Sequence, residues 1–210
     1  TEEFNTIAIW CSNEKCDAIY PQSADFTFYG GLYRGAHLIC VPETHFELLH
    51  YGDLGIHAAT EPASWDKEDF MLHIRTKICG VEKDNQVIYQ IFDEDGKEVA
   101  SAARPADSPD TSIPLYKPHR WDIKNSYQYT LKALIMRNNE CLDEVELKFG
   151  VRTFCCDPGR GFLINGNCVP LRGVSRHQDK LYQGNALTKE DHIRDAELIE
   201  EIGANTVRLA

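Results

Sequence analysis

The sequence has no long hydrophobic run. Among its 210 residues the uninterrupted apolar stretches, such as Ala133–Met136, span a handful of positions, whereas a membrane-spanning helix needs about 20. We therefore expect no segment that crosses a bilayer. The composition, with 42% hydrophobic and 26% charged residues, is that of an ordinary folded soluble chain and excludes the disordered, fibrous and collagen-like classes.

The sequence has fewer basic than acidic residues. Its 22 lysines and arginines stand against 33 aspartates and glutamates, which gives a net charge of −11 and a pI near 5.1. The phosphate backbone of a nucleic acid would be repelled unless a local basic patch outweighed this field, and the sequence contains no such patch. We expect no nucleic-acid partner.

No signal peptide or presequence is recognisable at Thr1–Phe4, and the chain begins without methionine. The eight cysteines lack the tight repeated spacing of a small disulfide scaffold, and the neighbours Cys155 and Cys156 would point to opposite faces of a strand. These features favour reduced thiols and a cytoplasmic location. Two alternatives remain: an extracellular domain held by disulfides, and a zinc site at Cys11 and Cys16, which lacks a second ligand pair nearby.

Short alternating segments between turn signals dominate the first three quarters of the chain. Residues 5–10 and 33–41 are predicted as strands from their apolar and β-branched content. Further strands are predicted at residues 70–78, 86–92, 127–136 and 142–151, with a hairpin at Asp95-Gly96. The period-two pattern from 46 to 153 favours an immunoglobulin-type β-sandwich, with Trp121 and Tyr129 as core anchors. We expect Trp10 and Trp65 to lie in a core as well.

The proline-rich segment from Ser101 to His119 cannot be a central strand throughout, because proline donates no ladder hydrogen bond. We predict a connection there with one short strand near Ile113.

The pattern changes after Thr153. Leu163–Val169 predicts a hairpin that turns at Asn165-Gly166, and Leu171–Val174 predicts a strand. Thr188 to Asp191 resembles a capping box, and the apolar residues that follow recur at helical spacing up to Gly203. Residues 204–209 predict another strand, so the whole segment is a βαβ unit whose strands should be parallel.

The segments 161–166, 171–177 and 202–208 resemble, in order and spacing, the start of the barrel in family 2 glycoside hydrolases, especially β-galactosidases. The loop at 25–34 is similar to the end of the family's sugar-binding jelly roll. The resemblance implies a mainly β chain: the tail of the jelly roll at 1–45, an immunoglobulin-like sandwich at 46–153 and the start of a truncated (β/α)8 barrel at 154–210.

The resemblance implies that the parent protein is a retaining β-glycosidase that hydrolyses terminal β-D-galactosides. Such enzymes use two catalytic glutamates about 5 to 5.5 Å apart. In the family both glutamates lie beyond the position of Ala210, so the chain alone is expected to be inactive. Alternatives are β-glucuronidase or β-mannosidase specificity, or a non-catalytic module for carbohydrate binding or assembly. No cofactor is expected in this chain, although Mg or Na is possible in the parent protein. The expected partner is a β-galactoside or related carbohydrate, and a homo-oligomer is possible.

Three residues match family positions that contact the sugar or flank the nucleophile. Asp25 would accept hydrogen bonds from sugar hydroxyls, His177 would contact the sugar ring, and Arg208 would hold the nucleophile ionised. The alternatives are a turn cap, a structural hydrogen bond and a structural ion pair, respectively. Ser175 and Gln178 depart from the usual asparagine and glutamate, which bears on specificity. The acidic residues of the predicted helix are expected to be a solvated face rather than a catalytic pair.

Overall fold

The computed structural model describes residues 6–18, 27–50 and 52–209. Contacts divide the chain into two compact units. The sandwich unit comprises residues 39–170, and the strand–helix–strand unit comprises residues 1–38 together with 171–210. The predicted domain limits at 45/46 and 153/154 rest on the family resemblance and stay predictions.

Nine short strands form most of the sandwich unit. They are β1 (His45–Phe46), β2 (Ile56–Pro62), β3 (Phe70–Thr76), β4 (Ile78–Cys79), β5 (Gln86–Phe92), β6 (Glu98–Pro105), β7 (Thr111–Leu115), β8 (Tyr129–Arg137) and β9 (Glu140–Phe149). One antiparallel sheet has the order β2-β3-β7 and the other the order β6-β5-β8-β9, while β1 pairs with β4.

The core lies between these two sheets. Buried and partly exposed residues alternate along β3, β5 and β8, as the period-two pattern predicted. Leu72 from one sheet and Val87 and Leu131 from the other are fully buried members of one apolar cluster. The predicted β-sandwich is therefore confirmed. Tyr129 is a core residue as predicted, whereas Trp121 is only half-buried.

Two prolines lie inside strands, contrary to the prediction of a long connection. The strand near Ile113 is confirmed as β7, but residues 101–105 continue β6. Both strands lie at the edge of their sheets, so Pro105 and Pro114 interrupt no central ladder.

The strands predicted at 5–10 and 33–41 are wrong. The described residues 6–10 and the whole of 33–41 contain no strand, and Ile7 and Leu38 are largely exposed. Apolar content favours a strand only where a neighbouring strand pairs with the backbone. The prediction of buried tryptophans also fails for Trp10 and Trp65, which are 91% and 56% exposed.

The C-terminal part of the chain follows its prediction closely. The hairpin strands are β10 (Phe154–Asp157), β11 (Gly161–Ile164) and β12 (Asn167–Cys168), with Asn165 and Gly166 at φ 50° and 79° in the turn. β13 (Gly173–Arg176) and β14 (Thr206–Leu209) pair in parallel, and helix α1 (Lys189–Glu201) connects them.

Within the described ranges, no helix is both long and apolar enough to span a membrane. All eight cysteines lie in those ranges as free thiols, and seven of them are exposed. The structure thus shows no disulfide framework.

Candidate functional site

The carboxyl ends of β13 and β14 bring two predicted residues to one edge. The strands are parallel, and Ser175 is the register partner of Arg208. His177 directly follows the last residue of β13, and Arg208 is the penultimate residue of β14. Because parallel strands end at the same edge of a sheet, His177 and Arg208 both lie there, and both are exposed. Asp25 lies outside the described residues.

Helix α1 covers one face of this strand pair. The Arg176 Nε donates to Asp195 Oδ2 at 2.8 Å, and its guanidinium also lies 3.1 Å from His192 Nδ1. On the same face Val207 and Leu209 line a cavity of about 340 Å³ with residues of the helix. Since neighbouring side chains in a strand alternate, Ser175 and Arg208 face away from the helix.

The Gly203–Asn205 segment fixes where the second strand starts. Gly203 follows the helix at φ 80°, and its N–H donates to the Glu200 carbonyl at 2.8 Å. Asn205 then clamps the two strands: its N–H donates to the Arg172 carbonyl at 2.9 Å, and its Oδ1 accepts from the Arg172 N–H at 2.8 Å. Asn205 belongs to the segment 202–208 that carries the family resemblance, but no role was predicted for it.

The loop after β13 forms an open groove. A cavity of about 670 Å³ is lined by Tyr29 and by residues 179–184, among which Tyr182 is almost fully exposed. In barrel enzymes the loops that follow the strands at their carboxyl ends build the active site. Residues 179–184 belong to the loop that follows β13, so a loop of this kind forms the groove.

Asp191 holds the groove loop to the start of α1. Its Oδ1 accepts from Lys180 Nζ at 2.5 Å, and its Oδ2 accepts from Gln183 Nε2 at 2.8 Å and from the Thr188 N–H at 2.9 Å. Thr188 caps the helix in return, which completes the predicted capping box. The hydrogen bonds from Lys180, Thr188 and Gln183 hold the pKa of the Asp191 carboxyl well below its usual range. An ionised carboxylate held in this way is structural and cannot serve as a general acid.

The edge can bind polar ligands. The Arg208 guanidinium carries a permanent positive charge and several N–H donors, which suit a carboxylate or sugar hydroxyls. His177 adds a group that can donate or accept. The roles assigned to Asp25, His177 and Arg208 stay predictions.

Sequence models of two domains match the chain. The model of glycosyl hydrolases family 2 matches residues 60–152, and the model of the family 2 TIM barrel domain matches residues 158–210. Together they cover more than half of the chain. This chain belongs to glycosyl hydrolase family 2. The sandwich is the family's immunoglobulin-like domain, and β13, α1 and β14 belong to the start of the family's TIM barrel.

Family 2 proteins of two activities are similar to this chain. A β-glucuronidase from Bacteroides fragilis is 31% identical over 99% of this chain, and β-galactosidase BoGH2A from Bacteroides ovatus is 29% identical over 76% of it. The crystal structure of an FMN-binding β-glucuronidase from Facaelibacterium prausnitzii L2-6 matches 95% of the chain with 49% identity and a TM-score of 0.90. The chain spans 31%, 20% and 31% of the length of these three relatives, respectively.

Proposed function

We propose that this chain is a segment of a retaining β-glycosidase and that the enzyme acts on terminal β-D-glucuronides. The observation that carries the proposal is the 49% identity, over 95% of the chain, with a β-glucuronidase of known structure. β-Galactosides are the second candidate, because β-galactosidases from Bacteroides ovatus and Thermoanaerobacter pseudethanolicus are 29% and 26% identical to this chain.

In this proposal the chain supplies part of the sugar pocket and not the reacting carboxylates. Arg208 lies at the carboxyl end of β14, where its charge would keep a neighbouring glutamate ionised for attack on the anomeric carbon. His177 and Asp25 would hydrogen-bond sugar hydroxyls. Both glutamates belong to the longer protein, so the 210-residue chain by itself hydrolyses no glycoside.

The test compares two aryl glycosides on the full-length enzyme. We expect kcat/KM for p-nitrophenyl β-D-glucuronide to exceed that for the β-D-galactoside. The opposite order, with the glucuronide not turned over, would replace the first candidate with the second. Hydrolysis of neither glycoside would refute both candidate specificities.

The role of Arg208 is tested by Arg208→Ala with Arg194→Ala as the matched control. Arg194 lies on α1, where its exposed side chain pairs with Glu197. We expect Arg208→Ala to lower kcat/KM by about 100-fold or more, as loss of a charge-stabilising group does, and Arg194→Ala to change it less than about twofold. Equal, small effects of both changes would contradict the assignment of Arg208.

A further inference from the structure

Two histidines and one aspartate meet in the sandwich unit. His50 Nδ1 lies 2.8 Å and His57 Nε2 lies 3.0 Å from the same oxygen, Asp53 Oδ2. One ligand atom from each of the three residues lies within 4.8 Å of the others. Nothing in the proposed hydrolysis uses this cluster.

The backbone holds the cluster in place from both sides. The Asp53 N–H donates to the His50 carbonyl at 3.2 Å, which links the backbone of these two residues. The Gly55 N–H donates to Asp53 Oδ1 at 2.7 Å, so one carboxylate oxygen is fixed by the backbone and the other points at the histidines. His57 is the second residue of β2 and is therefore fixed by the sheet.

The spacing suits a tetrahedral metal ion. With metal–ligand bonds of about 2.0 to 2.2 Å, ligand atoms of such a site lie roughly 3.3 Å apart. Asp53 Oδ2 lies at hydrogen-bond distance from both ring nitrogens, and all three ligand atoms lie within 4.8 Å of one another, so small side-chain shifts would bring them onto one ion. The three side chains are partly exposed, at 37%, 26% and 43%, so an ion could enter and keep water as a fourth ligand.

We propose that His50, Asp53 and His57 form a binding site for a divalent transition metal ion of the Zn²⁺ type. Two imidazole nitrogens and one carboxylate oxygen are ligands that Zn²⁺ accepts, whereas Ca²⁺ and Mg²⁺ prefer oxygen ligands alone. With neutral histidines the ligand set carries one negative charge, which favours a dication. The ring proton that each histidine gives to Asp53 in the metal-free form moves to the other ring nitrogen or to solvent when the metal binds.

Another histidine of the sandwich unit provides a matched comparison. His73 Nε2 lies 2.9 Å from Glu61 Oε1, and its Nδ1 lies 2.8 Å from Ser112 Oγ. This group has one histidine and one carboxylate, and it therefore lacks the second imidazole that a zinc site of this kind needs.

The test is titration of the chain with Zn²⁺ by isothermal calorimetry. The wild type and the variants Asp53→Asn, His57→Gln and His73→Gln are compared under reducing conditions. All four proteins carry the same cysteines, so binding to thiols is common to them. We expect the wild type and His73→Gln to bind one equivalent of Zn²⁺ with the same affinity. Asp53→Asn and His57→Gln should bind that equivalent at least about tenfold more weakly. Zinc K-edge absorption should show nitrogen and oxygen ligands for that equivalent.

Equal binding by all four proteins, or sulfur ligands in the absorption spectrum, would show that the thiols hold the metal and would overturn the proposal. Failure of the wild type to bind Zn²⁺ at 1 mM (roughly 4 kcal/mol of binding free energy) would overturn it as well. Circular dichroism checks that each variant is folded. If Asp53→Asn alone loses its fold, the partly exposed His57→Gln variant decides the outcome.

Discussion

Asn165 donates a hydrogen bond from its side-chain Nδ2 to the main-chain carbonyl of Trp121, 3.0 Å away and 44 positions earlier in the chain. The same side chain accepts from the Thr153 N–H at 3.0 Å through Oδ1. One turn residue thus fastens the β11–β12 hairpin to the end of the sandwich.

Replacing Asn165 with glycine should lower the free energy of unfolding by about 1 to 3 kcal/mol, because two hydrogen bonds are lost while the positive φ remains unstrained. Urea denaturation followed by tryptophan fluorescence measures this. Asn138→Gly is the control, since Asn138 is an exposed turn residue at φ 49°. Equal losses in both variants would show that the hydrogen bonds of Asn165 add nothing.

Tyr89 should make the sandwich sensitive to alkali. Burial raises the pKa of Tyr89 to about 12, while its hydroxyl bonds to Thr76 Oγ1 at 2.7 Å and to the Pro109 carbonyl at 2.9 Å. The pKa of Tyr89 in the folded protein lies above its unfolded value of 10.0. The protonated Tyr89 therefore stabilises the fold fully below pH 10, and this stabilisation is lost between pH 10 and 12, by up to about 1.4 kcal/mol per pH unit.

Tyr89→Phe separates this effect from the other tyrosines. The variant should be less stable than the wild type by about 1 kcal/mol at pH 7, because the hydroxyl hydrogen bonds are gone. In urea unfolding experiments this difference in stability should shrink above pH 10 and change sign by pH 12, because the wild type loses more than about 1 kcal/mol over that range. A gap that stays constant over that range would contradict a protonated, buried Tyr89.

The capping box should stabilise the start of α1 in a pH-dependent way. Thr188→Ala should weaken the first turn by about 0.5 to 2 kcal/mol, seen as faster amide hydrogen exchange in α1. The pKa of Asp191 in the folded protein lies below its ordinary value of 3.8. The ionised Asp191 therefore stabilises the helix fully above pH 3.8, and this stabilisation is lost as the pH falls from 3.8 towards the folded pKa.

Asp191→Asn should remove this acid sensitivity, and Glu190→Gln serves as the control. Glu190 is also in the first turn but is outside the capping box. Exchange rates in α1 that rise equally with acid in the wild type and in Asp191→Asn would refute the role of Asp191.

The pair Arg176–Asp195 should couple β13 to α1 more strongly than a surface pair does. A double-mutant cycle with Arg176→Met and Asp195→Asn should give a coupling near 1 kcal/mol in the stability of α1, since the Arg176 side chain is only 13% exposed. The exposed pair Arg194–Glu197 on the same helix should give less than about 0.5 kcal/mol. Equal couplings would argue against a special contribution of Arg176.

The sequence predicted the sandwich well because its signals are local. The alternation from Gln86 to Phe92 defines β5, and Asn165-Gly166 demands two positive φ values that few turns other than a tight hairpin provide. The strand predictions at 5–10 and 33–41 were wrong because a strand needs a partner strand, which the local amino-acid composition does not reveal.

The candidate site was predicted only in part. The order of β13, α1 and β14 placed His177 and Arg208 at one edge, because parallel strands must end together. Asp191 was assigned to a solvated face, and its bonds to Lys180 and Gln183 were missed because they arise from a loop of irregular backbone. The cluster of His50, Asp53 and His57 was not predicted either, because it depends on a backbone hydrogen bond between His50 and Asp53 and on the start of β2.

The free cysteines affect how self-association should be measured. With seven exposed thiols per chain, air oxidation can link molecules at random, and a ladder on a non-reducing gel would then record storage conditions. Sedimentation in fresh reductant is therefore the setting in which a genuine dimer or tetramer can be told from chemically joined monomers.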